Sequence, residues 1–361
     1  MSKVVNRQQI NHVLSFYDAS LDTCTIAPLG NGLINCTYLV SNQDKQFVLQ
    51  RINHQVFKHP EQVINNAELL SEHIKQKHKL NQYALSPIWQ IHTNAGTAIV
   101  KDNGSSWRAL NFITDSYTVE SVSSPEQAAQ VATAFGQFTA ALADFPAGKL
   151  NEIIPNFHHL DTRLAQLTQA VNTDPAKRLQ QCQQIVDFCL AQQDFIEQVA
   201  TLSESLPIRV THNDTKINNL LFSRASDKPI AVIDLDTCMA GFIMNDFGDM
   251  VRTCCSTEPE DGTNLTNMAV KIEIFQALAQ AYIKSFSGTM SELEKHSLVV
   301  GTQLLPFMLG IRFLTDFING DNYFHTKHPL HNLERAKNQL HFFTLLQKLA
   351  PKLSDIIQAC D

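Results

Sequence analysis

The stretch Val210-Thr-His-Asn-Asp-Thr-Lys-Ile-Asn-Asn-Leu-Leu-Phe222, followed by Ala231-Val-Ile-Asp-Leu-Asp236, decides how this 361-residue chain is read. Apolar, β-rich residues flank a polar loop, so short strands are predicted over 208–211, 219–222 and 230–233. Within the loop, Asp214 follows His212 by two positions and Asn219 follows Asp214 by five. Asp234 comes fifteen residues later, directly behind an apolar strand. A lone His and Asp in a turn commonly cap one another, and a lone Asp behind a strand is a turn former. The conjunction of all four, in a strand, loop, strand, turn, strand context, exceeds what stability requires. Phosphoryl transfer between oxygens needs an acceptor for a hydroxyl proton and hard oxygen ligands for Mg2+ on the phosphates. One loop and one strand end provide both.

Outward from this stretch, residues 25–51 read as strands and turns. Thr37 to Val40 is β-rich, Ser41 to Gln46 is polar, and Phe47-Val48-Leu49 is apolar again, which predicts an antiparallel hairpin behind the turn Leu29-Gly30-Asn31-Gly32. A helical stripe at Val63, Ile64, Ala67, Leu70 and Ile74 predicts a helix over 60–79 with Pro60 near its start. Strand-like pieces return at 98–100 and 108–113. Helical spacing then dominates: 125–145 behind a Ser124 cap, and 178–206, 264–286, 291–318 and 330–350. The pattern predicts a small β-rich lobe, 1–110, and a larger helical lobe, 111–361, joined near 109–114.

Composition narrows the function classes. The chain is 44 % hydrophobic and 17 % charged, suited to a packed core rather than disorder. Its 28 Lys and Arg against 35 Asp and Glu give −7 with neutral His, so no whole-protein positive field draws nucleic acid or anionic membrane. The eight cysteines form no CxxC pair, which argues for buried thiols in a reducing compartment rather than a zinc or redox motif. The polar amino terminus lacks a secretory apolar stretch, so a cytoplasmic protein is expected. The apolar region 301–318 is interrupted by Gln303, Pro306, Arg312 and Asp316 and is read as a buried helix.

The segments HNDTKINNLLF, VIDLDT and NDFGDMVR together resemble the aminoglycoside phosphotransferase and choline kinase superfamily, whose members phosphorylate small alcohols on a protein-kinase-like fold. More closely, Gly30-Asn-Gly-Leu-Ile-Asn-Cys-Thr-Tyr38, Phe47-Val-Leu-Gln-Arg-Ile-Asn53, Asn156-Phe-His158 and Arg312 to Asp321 with Tyr323-Phe324 are similar to the N-acetylhexosamine 1-kinases. The resemblance implies an α+β, two-lobed fold whose N-terminal lobe binds nucleotide and whose C-terminal lobe carries catalysis and substrate. It implies ATP as donor, Mg2+ as cofactor, and a small sugar or amino alcohol as acceptor, with no nucleic-acid or membrane partner. Carried over by residue, Asp214 is the base, His212 braces the loop, and Asn219 and Asp234 hold Mg2+. Lys216 reaches the transferring phosphate or the sugar, unless it is a solvated surface lysine. Asp236, with Thr237 beside it, meets substrate or a second metal, a structural turn being the competing reading. Asp246 and Asp249 hydrogen-bond the loop backbone.

The nucleotide loop departs from the pattern, because Gly30, Asn31 and Gly32 open GxGxxG but Asn35 stands at its third glycine. Asn tolerates left-handed backbone and is expected to keep the turn. The following strand offers Gln50 where a phosphate-contacting Lys is expected, with Arg51 next to it as the candidate cation and Glu68 as its expected ion-pair partner. Neighbouring strand residues face opposite sides, so only one of Gln50 and Arg51 reaches the cleft. Backbone near Asn111 is expected to read the adenine. Arg312 and Tyr323 are expected at the sugar; an i,i+4 ion pair of Arg312 with Asp316 is the alternative. The rival functions are a kinase for choline, homoserine or an aminoglycoside, and a non-catalytic pseudokinase.

Overall fold

The computed structural model describes residues 6–18, 21, 23–30 and 34–360. Helix α1 (Arg7–Ser15) is capped by Asn6, whose side chain accepts from the Gln9 amide, and buries Ile10, Val13 and Leu14. Strands β1 (Thr25–Pro28), β2 (Cys36–Ser41) and β3 (Gln46–Ile52) follow, then α2 (Pro60–Lys79), β4 (Gln90–Ile91), β5 (Val100–Asp102), β6 (Ser105–Asn111) and β7 (Ser116–Tyr117). The sheet order is β1-β2-β3-β6-β4 with β5 also on β6, and its pairings are antiparallel. Strand alternation gives the sheet two different faces. Phe47, Leu49, Trp107 and Ala109 pack with Ile10, Val13 and Leu14 of α1. Gln50 and Arg108, partners in the β3–β6 register, point the other way.

The remaining elements, in chain order, are α3 (Pro125–Ala141), α4 (Leu160–Thr173), α5 (Gln183–Leu190), α6 (Gln193–Ser205), β8 (Arg209–Thr211), β9 (Leu220–Ser223), β10 (Pro229–Val232), β11 (Met239–Gly241), α7 (Ile243–Cys254), α8 (Ile272–Ser285), α9 (Glu292–Asn319) and α10 (His331–Gln358). The fold is α+β and 52 % helical, a small antiparallel-sheet lobe and a helical lobe. Its two units do not follow a single cut at 110: one holds Met1–Tyr117, Asp144–Ile154 and Leu221–Met239, the other the rest. The 221–239 segment joins the first unit because Phe222 pairs with Tyr117 and the Ser86 amide donates to the Ile230 carbonyl.

In the second unit α9 is the central helix. It starts with a reciprocal capping box between Ser291 and Glu294 and ends at Gly320, whose left-handed φ of 94° suits glycine. Its apolar residues Leu304, Phe307, Ile311 and Leu314 pack with Leu160, Val199, Leu340 and Phe343. The apolar stretch read as a buried helix is one: 83 % of its most apolar window is buried. Helices α7 and α9 meet backbone to backbone, since a Cβ on Gly248 would strike the Gly301 carbonyl and one on Gly301 the Met244 carbonyl.

Several elements differ from the sequence reading. The 178–206 helix is two, α5 and α6, parted at Ala191 and Gln192, and α10 runs on through Pro351. Helices α1, α4 and α7 were not anticipated. In α7 the apolar Ile243, Met244, Phe247, Met250 and Val251 recur at helical spacing, and every residue but Thr253 is buried, including the polar Asn245, Asp246, Asp249 and Arg252.

Candidate active site

The loop after β8 is shaped by its own polar side chains. Asn213 takes a left-handed φ of 64°, and Thr211 Oγ1 donates to its Oδ1 at 3.0 Å. Below it, Asp246 near the start of α7 accepts from the amides of His212 at 2.9 Å and Asn213 at 2.7 Å, while its carbonyl accepts from Thr215 Oγ1 at 2.6 Å. Burial pushes the Asp246 carboxyl up to about 7, against the two amide donors that favour its charged form. His212 is fully buried, its ring edge-on to Phe135 and Phe138. Asp249 departs from expectation: its carboxylate pairs with Arg252 at 2.8 Å, not with the loop backbone, because the guanidinium three residues on lies within reach on the same helix.

Asp214 is the partly exposed carboxylate of the loop. Asn219 Nδ2 donates to its carbonyl at 2.8 Å and to its Oδ2 at 2.9 Å, and Lys216 Nζ lies 3.0 Å from its Oδ1. Both protons of the Asn219 amide are thereby committed, and its Oδ1 has no partner among the described residues. Burial would lower the Lys216 ammonium, but Asp214 and Asp249 outweigh it and hold the group above its ordinary value. The loop thus joins a carboxylate, an ammonium and an open amide oxygen.

In the first unit, Asp234 lies two residues past the end of β10 in a left-handed conformation, φ 60°, and is exposed. The short 3-10 turn Leu235–Thr237 that follows buries Asp236 and Thr237. Asp236 Oδ1 lies 2.5 Å from Arg108 Nη2, and its Oδ2 accepts from Asn35 Nδ2 at 2.8 Å. Both oxygens are therefore engaged inside this unit, which corrects the substrate or metal contact expected of Asp236. Asn35 is likewise reassigned: it is not among the residues with positive φ, and its side chain instead bonds Asp236 and accepts from the Asn53 amide at 3.0 Å.

The expected strand cation is also corrected. Arg51 falls on the α1 side of the sheet, in a polar hollow with Gln9, His12 and Asn103, and donates to Cys36 Sγ. Glu68 is bonded instead by His92. The guanidinium on the Gln50 side is Arg108, whose Nε and Nη2 donate to Gln50 Oε1 at 2.9 and 2.8 Å. A pairing register between β3 and β6 would have revealed it; spacing along one strand does not. Gly30 has a left-handed φ of 71°, as a glycine turn requires. The expectations at Asn31 and Gly32 lie outside the described residues. Asn111 uses its side chain structurally, accepting from the Trp89 amide at 2.8 Å and donating to the Pro87 carbonyl at 3.3 Å.

A second cluster in the helical unit surrounds Arg312. Its guanidinium lies 5.3 to 5.7 Å from the ring centroids of Phe157, Tyr323 and Phe324. Among the described residues it has no carboxylate in ion-pair range, which removes the expected alternative of a pair with Asp316. Asp316 is otherwise engaged, accepting from the amides of Asn322, Tyr323 and Phe324 at 2.8 to 2.9 Å, so it pins the loop that carries Tyr323. Arg163, which the sequence reading missed, donates to the Asn156 and Phe157 carbonyls and is lowered to about 10, by burial first and then by Arg312. Burial also lowers His158 to about 4, and its Nε2 lies 3.4 Å from the Asn213 carbonyl. His158 thereby links this cluster to the Asp214 loop. Tyr323 itself is exposed.

Solved structures share the fold. A microcompartment-associated aminopropanol kinase superimposes with a TM-score of 0.64 at 15 % identity, covering 97 % of this chain and 99 % of its own. The choline kinase of Cryptosporidium parvum gives 0.57 at 14 % identity, with 96 % and 97 % covered. A spectinomycin phosphotransferase, in complex with ADP and spectinomycin, gives 0.54 at 14 % identity, with 98 % of each chain covered. At these identities the likeness is one of fold. The sequence profile of the phosphotransferase enzyme family matches residues 25–289, a span that includes the Asp214 loop, the Asp234 turn and α7, and the chain is a member of that family of small-molecule phosphotransferases.

Proposed function

We propose that this phosphotransferase is an ATP- and Mg2+-dependent N-acetylhexosamine 1-kinase, acting on the anomeric hydroxyl to make the sugar 1-phosphate. The observation that carries the reading is Arg312, a half-buried guanidinium among three aromatic rings with no ion-pair partner among the described residues. Such a group donates to the hydroxyls of a neutral sugar, and the Tyr323 ring offers a face for stacking. Choline or an aminoglycoside would meet the like charge of Arg312 beside these rings. The ADP held by the spectinomycin enzyme supports an adenine nucleotide as donor.

In the proposed reaction the sugar oxygen attacks the γ-phosphorus in line. Its proton passes to Asp214 as the bond to the bridging oxygen breaks and ADP leaves with the electron pair. Lys216, which pairs with Asp214, would balance charge on the transferring group. Asn219 Oδ1 and the exposed Asp234 carboxylate are hard oxygen donors of the kind Mg2+ prefers, and these are the residues that would hold it. A metal held there would neutralise charge on the transferring phosphates.

The test is phosphate transfer from ATP to a panel of N-acetylglucosamine, N-acetylgalactosamine, choline, homoserine and an aminoglycoside. An N-acetylhexosamine should exceed the others by orders of magnitude in kcat/KM. Arg312→Ala should lower kcat/KM for the sugar by about 10- to 150-fold, the value of a charged hydrogen bond, with KM for ATP and the melting temperature nearly unchanged. A cationic acceptor that outperforms the sugars, or an Arg312→Ala chain with intact sugar kinetics, would overturn the hexosamine reading.

A further inference from the structure

We propose that Arg108, on β6, is the phosphate-facing cation of the nucleotide site, replacing the lysine that β3 lacks at Gln50. The assignment rests on the kinase reading and on four observations within the first unit. Gln50 and Arg108 are direct partners in the antiparallel register, so their side chains emerge together on the face opposite α1. Gln50 turns its amide oxygen to both Nε and Nη2 of Arg108, so the residue at the expected lysine position holds a guanidinium rather than contributing a charge. Asp236 completes the clamp at 2.5 Å from Nη2, two residues beyond the proposed metal ligand Asp234 and on the turn that Asp234 opens. The same Asp236 binds Asn35, the residue just before β2, so one carboxylate ties the start of β2 and the guanidinium to the Asp234 turn.

The remaining nitrogen, Nη1, has no partner among the described residues and is not among their sealed, unpartnered polar atoms. Guanidinium is well suited to phosphate, being always charged and offering donors in a planar fork. A buried ion pair is weak evidence for stability by itself, since desolvation offsets much of its Coulombic gain. A fold staple alone also leaves unexplained why the clamp sits beside Asp234 and holds a donor back.

The experiment reads binding rather than turnover. Calorimetric affinities for MgADP and for adenosine are measured on the full chain, on Arg108→Met, on Arg108→Lys and on the double variant Gln50→Lys/Arg108→Met. Arg108→Met should weaken MgADP by about 10- to 100-fold while leaving adenosine within about twofold. Arg108→Lys should retain most of the MgADP affinity, and Lys at position 50 should restore it in the double variant. Equal loss of MgADP and adenosine, loss of neither, or no recovery with Gln50→Lys overturns the proposal. So does failure of both Arg108→Met and the double variant to fold, which would make the guanidinium a structural staple. A parental chain that binds no MgADP would instead sink the kinase reading, leaving the two failures distinct.

Discussion

At the scale of single residues, the Asp214 loop separates buried groups from groups that it leaves partly exposed. Asp246 and His212 are fully buried, whereas Asp214 stays partly exposed between Asn219 and Lys216. Asp214→Asn keeps the size and the bond from Asn219 but removes the proton acceptor, so turnover should fall by about 10² to 10⁴-fold with little change in ATP affinity. A pH–rate profile of the variant at near-parental turnover would reject Asp214 as the base. His158 gives a stability prediction. Its folded pKa of about 4 lies below the ordinary 6.5, so between these values the unfolded chain takes up a proton that the folded one refuses. Its contribution is fully present above pH 6.5 and is lost as pH falls toward 4. Thermal melts at pH 7.5 and 4.5 should therefore lose about 2 kcal/mol less in His158→Gln than in the parent. Taking the difference between the two chains removes Asp246, whose raised pKa acts in the opposite direction, from the comparison. An identical pH dependence in both chains would show that His158 takes its proton freely in the folded protein.

At the scale of elements, the crossing of α7 and α9 links the support beneath the loop to the Arg312 cluster, because α7 carries Asp246 and α9 carries Arg312. The crossing depends on Gly248 and Gly301, where any Cβ would enter the carbonyl of the facing helix. Backbone cannot yield as a flexible side chain does, so Gly301→Ala should destabilise by about 3 kcal/mol, at the upper end for overpacking. Gly148→Ala is the control, since its Cβ would meet nothing within 4 Å and it should stay within about 0.5 kcal/mol of the parent. Chemical denaturation of the two variants checks both. A Gly301→Ala chain as stable as the parent would mean that the helices separate without cost. The element that sequence patterning missed, α7, is also the one that builds the site. Its apolar residues Ile243, Met244, Phe247, Met250 and Val251 do recur at helical spacing, but its polar face is buried too, where Asp246 serves the loop and Asp249 pairs with Arg252 rather than meeting solvent.

At the scale of the whole molecule, none of the eight cysteines is in a disulfide, and all but Cys36 are buried. Burial pushes the Cys189 and Cys254 thiols up to about 12, well away from reactive thiolate. A thiol-reactive disulfide reagent should therefore label one cysteine per native chain quickly and eight in denaturant, and Cys36→Ser should abolish the fast phase. Several rapidly labelled thiols in the native chain would contradict this packing. The amino-acid sequence alone was enough for the order and spacing of His212, Asp214, Asn219 and Asp234, for β8 to β10 to within a residue, and for the buried nature of α9. These features are local: strand alternation, turn chemistry and helical period act over a few residues, and the groups of one loop lie close together in the chain. Tertiary structure decided what spacing leaves open. Whether Arg51 or another cation shares a face with Asp236 depends on which side of the sheet α1 covers and on the register that sets Gln50 opposite Arg108. Arg312 and Asp316 are helical neighbours that do not pair, because three backbone amides of the 322–324 loop take the carboxylate. A side chain's partner is settled by competition among all groups that folding brings within reach, and most of those competitors lie far away in the chain.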